Sequence, residues 1–276
     1  MIILFSYFTV HIKRGKVMKK KLGFALGAGG SRGVAHIGFL QAMEEAGIKP
    51  DFITGCSMGA VVGSVYAAGM PVQTMKEILC NLRMRDLLAP TGKRGGLFDT
   101  RKMHELFLKY LGDIEFSNLK TPFACTAVDM ITQTLVEFSD GKVADAAVAS
   151  ATIPAIFRPI TKGKMRLVDG GVLERVPFRL VKKMGADVVV CVDALGWREC
   201  KKRFPNTVGT LFETIDIMDN HRTKTQREAY RDLIDFWLEP ELGNLSQYSL
   251  KKLDFMCEKG YELGKKYADE IKAALQ

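Results

Sequence analysis

Gly55-Cys56-Ser57-Met58-Gly59 is the stretch of this sequence that decides the fold, because a predicted strand turns into a predicted helix there. Residues 52–54 predict a short buried strand that Gly55 ends, and the small apolar residues of 58–68 predict a tightly packed helix. A serine at so sharp a turn needs unusual backbone angles. The residues two before and two after it crowd each other unless both are glycine. The pattern predicts a nucleophilic hydroxyl at Ser57.

Two other interpretations of this pentapeptide stay open at the level of sequence. The serine could be a bystander in a glycine-rich turn, or Cys56 could be the nucleophile. Cys56 lies one residue off the position that the two glycines bracket, so we expect its side chain to point away from the site that Ser57 faces. The helix that begins at Met58 directs its amide dipoles at the serine and favours negative charge there.

A second glycine-rich segment, Gly27-Ala28-Gly29-Gly30-Ser31-Arg32-Gly33, follows the predicted strand 22–26 and opens a predicted helix. Backbone amides in such a loop bind an anion, either a nucleotide phosphate or the oxyanion of a tetrahedral intermediate. A dinucleotide loop needs the pattern G-x-G-x-x-G, but Arg32 stands where the third glycine belongs, and a Walker lysine is absent from the segment. The segment therefore favours an oxyanion hole, with nucleotide binding as the alternative.

Together the two segments predict the start of a parallel sheet: strand, glycine turn, helix, strand, sharp turn, helix. Loops at the carboxyl ends of adjacent parallel strands meet at one edge of a sheet. That arrangement would place the amides of Gly29 and Gly30 beside Ser57. Further along, residues 71–116 are predicted to be irregularly helical, with a glycine-rich, flexible break at 92–96 near the mouth of the site.

The general base that Ser57 needs is not an obvious histidine. The chain contains four histidines, none of which follows a predicted strand: His11, His36, His104 and His221. Asp169 does follow one, because it comes directly after the predicted strand 165–168 and before two glycines. Its carboxylate could therefore approach another residue at a strand end. A plain Asp-Gly turn is the alternative for Asp169 taken alone.

Length and composition favour one compact α/β domain. The chain has 276 residues, of which 47% are hydrophobic and 26% charged, the balance of an ordinary globular protein. We expect the domain over residues 18–276, with its motifs within 21–195 and a mostly helical part over 206–276. The apolar run before residue 11 is too short to cross a bilayer. Residues 1–17 are expected to be an upstream extension before a true start at Met18, with a weak amphipathic anchor as the alternative.

Charge and cysteine usage limit the partners. The formal net charge of +9 is spread along the chain, which disfavours a nucleic-acid site and favours attraction to an anionic membrane surface. The six cysteines show no C-x-x-C spacing and no zinc-type cluster. We expect a cytoplasmic protein, with peripheral contact at the inner face of the membrane.

The order of these motifs resembles a known family. A glycine nest with an arginine, G-x-S-x-G and D-G-G, joined by the segment 149–157 (Ala-Ser-Ala-Thr-Ile-Pro-Ala-Ile-Phe), is similar to the patatin-like phospholipases over residues 21–195, and the short bacterial members are closest in size. The resemblance implies a three-layer α/β/α sandwich with a mostly parallel central sheet. It also implies a Ser-Asp dyad without histidine, in which Ser57 is the nucleophile and Asp169 the general base.

The same resemblance implies the remaining site residues and the substrate. Gly29 and Gly30 would donate to the oxyanion, and Arg32 would brace the loop or contact a lipid head group. The substrate would be a phospholipid or another fatty-acyl ester, cleaved through an acyl-enzyme, with no metal or cofactor. Two features depart from the family's pattern: Ala28 stands where glycine is usual, and the charged pair 174–175 where a small polar pair is common. A non-catalytic lipid-binding or regulatory protein on the same fold is the alternative.

Overall fold

The computed structural model describes residues 19–92, 94–196 and 206–276, so the extension predicted at 1–17 lies outside the described residues. The strands are β1 (Leu22–Leu26), β2 (Phe52–Cys56), β3 (Ala89–Pro90), β4 (Gly96–Asp99), β5 (Phe123–Asp129), β6 (Thr134–Phe138), β7 (Ala155–Phe157), β8 (Ile160–Lys162), β9 (Met165–Asp169), β10 (Val188–Val192) and β11 (Phe236–Leu238). The helices are α1 (Ala35–Glu45), α2 (Met58–Ala67), α3 (Val72–Asn81), α4 (Met84–Leu87), α5 (Arg101–Leu111), α6 (Val143–Ser150), α7 (Phe178–Lys183), α8 (Thr207–Ala229) and α9 (Leu253–Ala274).

The central sheet is mostly parallel. Its strand order is β11-β10-β1-β2-β5-β9-β8, with β6 paired to β5 as well. The first five strands in that order run parallel to one another, whereas β6, β8 and β9 join by antiparallel pairing. The α/β architecture expected from the sequence is confirmed.

Helices cover both faces of this sheet, which makes three layers. β1 and β10 are buried along their whole length, as parallel strands covered on both faces should be. On one face they pack in a large core with α1, α2, α3 and α9. On the other face a smaller core joins Phe178 and Val181 of α7 to Ala25, Val189 and Cys191.

The pairing of β5 controls the geometry of the site. β2 occupies one edge of β5 as far as the pair Cys56↔Thr126, and β9 begins on that same edge at the next rung, Asp169↔Ala127. Both must share this edge, because β6 pairs with residues 125–129 along the other. Thus β2 and β9 run towards each other and meet end to end.

Three sequence-based expectations need correction. β2 continues through Gly55 and does not end there, since Gly55 pairs with Leu26 on one side and Cys125 on the other. The glycine-rich break at 92–96 leads into β4, which forms a small separate sheet with β3 and β7. The region after 206 also contributes a strand, β11, at the edge of the main sheet. Its three residues are too few to give a periodic signal.

Helices α1 and α9 touch backbone to backbone through two glycines. A Cβ atom added at Gly38 would lie 1.8 Å from the carbonyl oxygen of Cys257, and one added at Gly260 would lie 1.8 Å from that of Ala35. Real side-chain atoms never approach so closely. Both glycines are therefore required for the helix α9 to cover α1.

We expect Gly38→Ala to destabilise the fold by about 2–3 kcal/mol, because the added methyl group forces two packed helices apart. Urea denaturation at constant m-value measures the change. Gly92→Ala is the matched control: nothing lies within 4 Å of a Cβ at Gly92, so its stability should stay within about 0.5 kcal/mol of wild type. Equal midpoints for the two variants would contradict the close helix contact.

Candidate active site

Ser57 occupies the strained turn that the pentapeptide predicts. Its φ and ψ are 53° and −123°, a left-handed conformation that serine rarely adopts. A Cβ at Gly55 would lie 2.5 Å from the carbonyl oxygen of Gly59, and a Cβ at Gly59 would lie 2.1 Å from that of Leu26. The two glycines thus let the turn close on itself and let α2 start against the end of β1.

A turn at the end of α6 holds both members of the predicted dyad. The backbone N–H of Ser57 donates to the hydroxyl oxygen of Ser150 at 3.0 Å. The backbone N–H of Asp169 donates to the carbonyl oxygen of Thr152 at 2.9 Å. The two acceptors, Ser150 and Thr152, are only two residues apart in the chain. They therefore fix the spacing between the ends of β2 and β9. Sequence reasoning missed Ser150 and Thr152 as positioning residues, because only the resemblance singled out their segment.

The Asp169 carboxylate lies buried at the meeting point of the two strands, with 6% of the residue exposed. Burial raises its pKa from the ordinary 3.8 to about 6, while the Ser57 hydroxyl, the Gly171 N–H and the Cys56 thiol donate towards it and oppose that rise. The Gly171 N–H lies 2.8 Å from Oδ1. The carboxylate therefore faces the Ser57 hydroxyl with its proton affinity increased.

The side chain of Cys56 stays out of the cavity that Ser57 lines, as expected, but unexpectedly contacts Asp169. Its sulfur lies 3.7 Å from Oδ1 of Asp169, so the thiol points towards the dyad from the interior of the sheet. Cys56 is completely buried and is absent from the lining of the cavity beside Ser57. Burial raises the pKa of the thiol well above its usual range. This group is a hydrogen-bond donor to the carboxylate, and it lacks the access and the ionisation that a nucleophile needs.

Two backbone amides of the glycine nest are left without an acceptor. Ala28 N–H donates to the carbonyl oxygen of Arg175, and Ser31 N–H donates to that of Gln247. Between them, the N–H groups of Gly29 and Gly30 have no acceptor within the part of the chain that the structure describes. These are the two donors expected for an oxyanion hole.

Gly30 belongs to the wall of the cavity that Ser57 also lines. Its φ is +50°, and a Cβ there would lie 2.3 Å from the carbonyl oxygen of Gln247. Only glycine fits this position without displacing the segment around residue 247. Sequence reasoning missed Gln247 because it lies more than 200 residues from the nest and in no recognisable motif.

Arg32 braces the nest from beneath. The residue is 1% exposed, and its guanidinium donates to four carbonyl oxygens, those of Ala194, Leu195, Gly243 and Leu245. These contacts tie the nest to the loop after β10 and to the loop before residue 247. They support the bracing alternative for Arg32, since contact with a head group would require an exposed guanidinium.

The charged pair that departs from the family's pattern has structural partners. Arg175 forms ion pairs with Asp193 at 2.6 Å and with Asp219 of α8 at 2.7 Å. Glu174 pairs with Arg179 at 2.6 Å. Both members are buried and turned away from the cavity lining. Arg175 thus anchors α8 to the loop that follows Asp169, and Glu174 joins that loop to α7.

The described histidines do not approach the dyad. His36 is buried, and its Nε2 lies 2.8 Å from the carbonyl oxygen of Gly27. Burial lowers the pKa of His36 to about 4, so its ring is neutral near pH 7 and donates to that carbonyl. His104 pairs with Asp145 at 2.8 Å, His221 is exposed, and His11 lies outside the described residues.

A cavity of about 220 Å³ extends from Ser57 between α2, α3 and α5. The described residues that line it are almost wholly apolar, and none of them is charged. Beside Ser57, Gly30 and Gln247, they include Met58, Val61, Val65, Met75, Leu79, Met103, Phe107, Ile153 and Phe157. Such a cavity suits a long hydrocarbon chain whose reacting end lies at the serine.

Among residues 19–92, 94–196 and 206–276, no helix combines the length and apolarity that crossing a bilayer requires.

The chain is similar in sequence to several known proteins. An uncharacterized NTE family protein of Mycobacterium tuberculosis is 33% identical over 178 residues, which make up 64% of this chain and 49% of that protein. A lysophospholipase of Emericella nidulans is 24% identical over 281 residues, covering 92% of this chain and 18% of the fungal protein. This chain spans half or less of the length of these relatives.

The fold is also similar to that of a solved structure, VipD from Legionella pneumophila. The TM-score is 0.61 at 15% sequence identity, and the match covers 91% of this chain and 67% of that one. The sequence profile of the family described as patatin-like phospholipase matches residues 24–182, more than half of the chain. The chain therefore belongs to the patatin-like phospholipase family.

Proposed function

We propose that the protein is a lipid acyl hydrolase that cleaves carboxylic esters, with Ser57 as nucleophile and Asp169 as general base. The observation that carries the proposal is the end-to-end meeting of β2 and β9, which sets the hydroxyl of one against the carboxylate of the other at the end of an apolar cavity. The family, and the lysophospholipase named among its relatives, support an ester of a fatty acid as substrate.

In the first half-reaction Asp169 takes the proton of the Ser57 hydroxyl while the oxygen attacks the ester carbonyl carbon. The carbonyl electron pair moves onto its oxygen, which the N–H groups of Gly29 and Gly30 stabilise. Collapse of this intermediate breaks the bond to the leaving alcohol, which receives the proton from Asp169. Each oxyanion donor contributes about 3 kcal/mol to the transition state.

In the second half-reaction a water molecule replaces the alcohol. Asp169 accepts a proton from this water as its oxygen attacks the acyl carbon, and the same two amides stabilise the second oxyanion. The bond to Ser57 then breaks, the serine recovers its proton and the fatty acid leaves. The uncharged side chains that line the cavity support binding of the acyl chain there, with the polar head group outside.

Ser57→Ala should abolish labelling by a fluorophosphonate probe and lower hydrolysis of p-nitrophenyl esters by at least 10³-fold, because it removes the proposed nucleophile. Intact-mass spectrometry detects the adduct. Cys56→Ala is the control, and it should keep the adduct because its thiol is buried.

An adduct on Ser57→Ala, or hydrolysis unchanged by that substitution, would refute the dyad. Two further outcomes separate the alternatives. Wild-type protein that binds fatty-acyl lipid without forming an adduct would be a non-catalytic lipid-binding protein. Saturable binding of a dinucleotide that Gly30→Ala abolishes would assign the nest to a phosphate.

The pH profile should report the ionisation of Asp169. The base must be ionised to accept a proton, so kcat/KM for a soluble ester should fall tenfold per pH unit below about pH 6 and level off above it, given the pKa of about 6. An acid limb centred near pH 4 would mean that burial does not raise the pKa of this carboxyl, and would contradict the geometry.

Stability should change over the same range with the opposite sign. The pKa of Asp169 is higher in the folded state than its ordinary 3.8, so the folded protein loses stability as pH rises from about 4 to about 6, by on the order of 3 kcal/mol. Asp169→Asn removes this ionisation. The inactive variant should therefore unfold at higher urea concentration than wild type at pH 8, and the difference should shrink at pH 4.5.

Ser150→Ala should lower kcat about tenfold with little change in KM, because the buried N–H of Ser57 then has no acceptor and the nucleophile is less well positioned. The acid limb of the pH profile should not move, since Asp169 keeps its own partners. Ser64→Ala is the control: it removes a buried hydroxyl whose bond stays within α2. A drop in kcat shared by both variants would reduce Ser150 to a purely structural role.

A further inference from the structure

The mouth of the cavity is marked by three residues that line it and are also exposed. They are Met84, Tyr110 and Tyr248, which are 45%, 40% and 40% exposed. We call this set the rim. It places the opening between the α4–α5 region and the segment before α9, and it surrounds that opening with apolar and aromatic side chains.

Helix α8 extends this apolar surface. The ring of Phe212 lies 5.0 Å from that of Tyr248, so the amino-terminal half of α8 borders the rim. Leu211, Ile215 and Met218 are 57%, 49% and 66% exposed and follow the i, i+4, i+7 spacing of a single helix face. We call these three the α8 face. Large exposed apolar sets of this kind mark an interaction surface.

Basic side chains flank the rim on both sides. Exposed arginine precedes and follows Met84, at positions 83 and 85, and two exposed lysines stand at 251 and 252, shortly after Tyr248. Lys109 is also exposed, and its ammonium lies 5.0 Å from the centre of the Tyr110 ring. Five basic side chains therefore stand beside the apolar rim, and one of them, Arg85, is paired with Asp86 at 3.8 Å.

We propose that the rim and the α8 face dock on the surface of an anionic lipid bilayer, with the cavity mouth against the lipid. The apolar side chains enter the interfacial layer and the flanking cations lie at the level of the anionic head groups. An acyl chain then passes from the bilayer into the cavity without crossing water. The proposal rests on the proposed function, because hydrolysis of lipid is what docking would serve. The docking surface itself does not depend on Ser57 or Asp169.

Charge decides between a bilayer and a second copy of the chain. A symmetric dimer formed through this surface would bring the basic side chains beside the rim of one copy close to the same side chains of the other copy. Like charges held that close repel one another, whereas an anionic bilayer neutralises them. The bilayer is therefore the occupant that fits both the apolar centre and the charged margin.

Vesicle sedimentation with the full chain tests the docking surface. Wild type should bind vesicles of phosphatidylcholine with 30% phosphatidylglycerol more tightly than vesicles of phosphatidylcholine alone, and added salt should reduce the difference. Leu211→Ser with Ile215→Ser should weaken binding to both kinds by at least tenfold. Lys109→Gln with Lys251→Gln should reduce only the preference for the anionic vesicles, by about fivefold per lysine.

Matched controls keep the result interpretable. Met130 and Ile131 are 53% and 64% exposed and lie outside the cavity lining, so Met130→Ser with Ile131→Ser should leave vesicle binding unchanged. All three double variants should hydrolyse a water-soluble short-chain ester at the wild-type rate, which shows that they are folded. Ser57→Ala should bind vesicles like wild type, so failure of the catalytic proposal and failure of the docking proposal are distinguishable.

Unchanged vesicle affinity of the α8-face variant would overturn the docking proposal. Conversion of a dimer into monomers by the same variant, seen in sedimentation equilibrium, would also overturn it and assign the face to a second copy. Equal weakening by the control pair at 130–131 would show that any exposed apolar side chain contributes alike, and would refute a specific surface.

Discussion

The site depends on one constraint of sheet pairing: a single edge of β5 receives two strands in succession. The pairing of β2 with β5 ends at Thr126, and the pairing of β9 with β5 begins at the next residue. A strand edge pairs with one partner at a time, so the two strands must stop where they meet. Ser57 directly follows the end of β2, and Asp169 is the last residue of β9. The contact between hydroxyl and carboxylate thus follows from backbone hydrogen bonding, and the turn at 150–152 secures it by binding the amides of both residues.

The same burial that fixes the carboxylate also tunes its chemistry. An exposed aspartate is too weak a base to take a proton from a serine at neutral pH. Loss of water around Asp169 raises its pKa to about 6, which brings its proton affinity close to what catalysis near pH 7 requires. A histidine supplies that affinity intrinsically. In the mechanism proposed for this chain the interior of the sheet supplies it, whereas the neutral, buried His36 is hydrogen-bonded to the backbone carbonyl of Gly27.

Sequence predicted the parts of the site whose residues are constrained locally. Gly55, Gly59 and Gly30 are each required by a contact that a Cβ atom would violate, and such positions leave a readable pattern. The location of Asp169 was also predictable from its strand end and two glycines. The approach of Asp169 to Ser57 was not predictable, because nothing in the residues of β9 shows that this strand runs antiparallel to β5.

Other features escaped because they depend on distant partners. Cys56 contacts Asp169 because the two residues pair with consecutive residues of β5. This contact could not be predicted from the two glycines that flank Ser57. Arg175 forms ion pairs with Asp193, which follows β10, and with Asp219 of α8. Gln247 contacts the nest although more than 200 residues separate them in the sequence. The ion pairs and carbonyls involved are nonlocal, and one sequence carries no signal of such pairings.

The closure of the nest by that distant segment has a consequence for the nascent protein. Ser31 is hydrogen-bonded to Ser246, 215 residues later, and the carbonyl of Gln247 receives the Ser31 amide. The strands that carry Ser57 and Asp169 leave the ribosome long before this segment does. A growing chain can therefore bring the proposed nucleophile and base together while one wall of the proposed oxyanion site is still missing. The proposed oxyanion site is complete only after residue 247 has been synthesised.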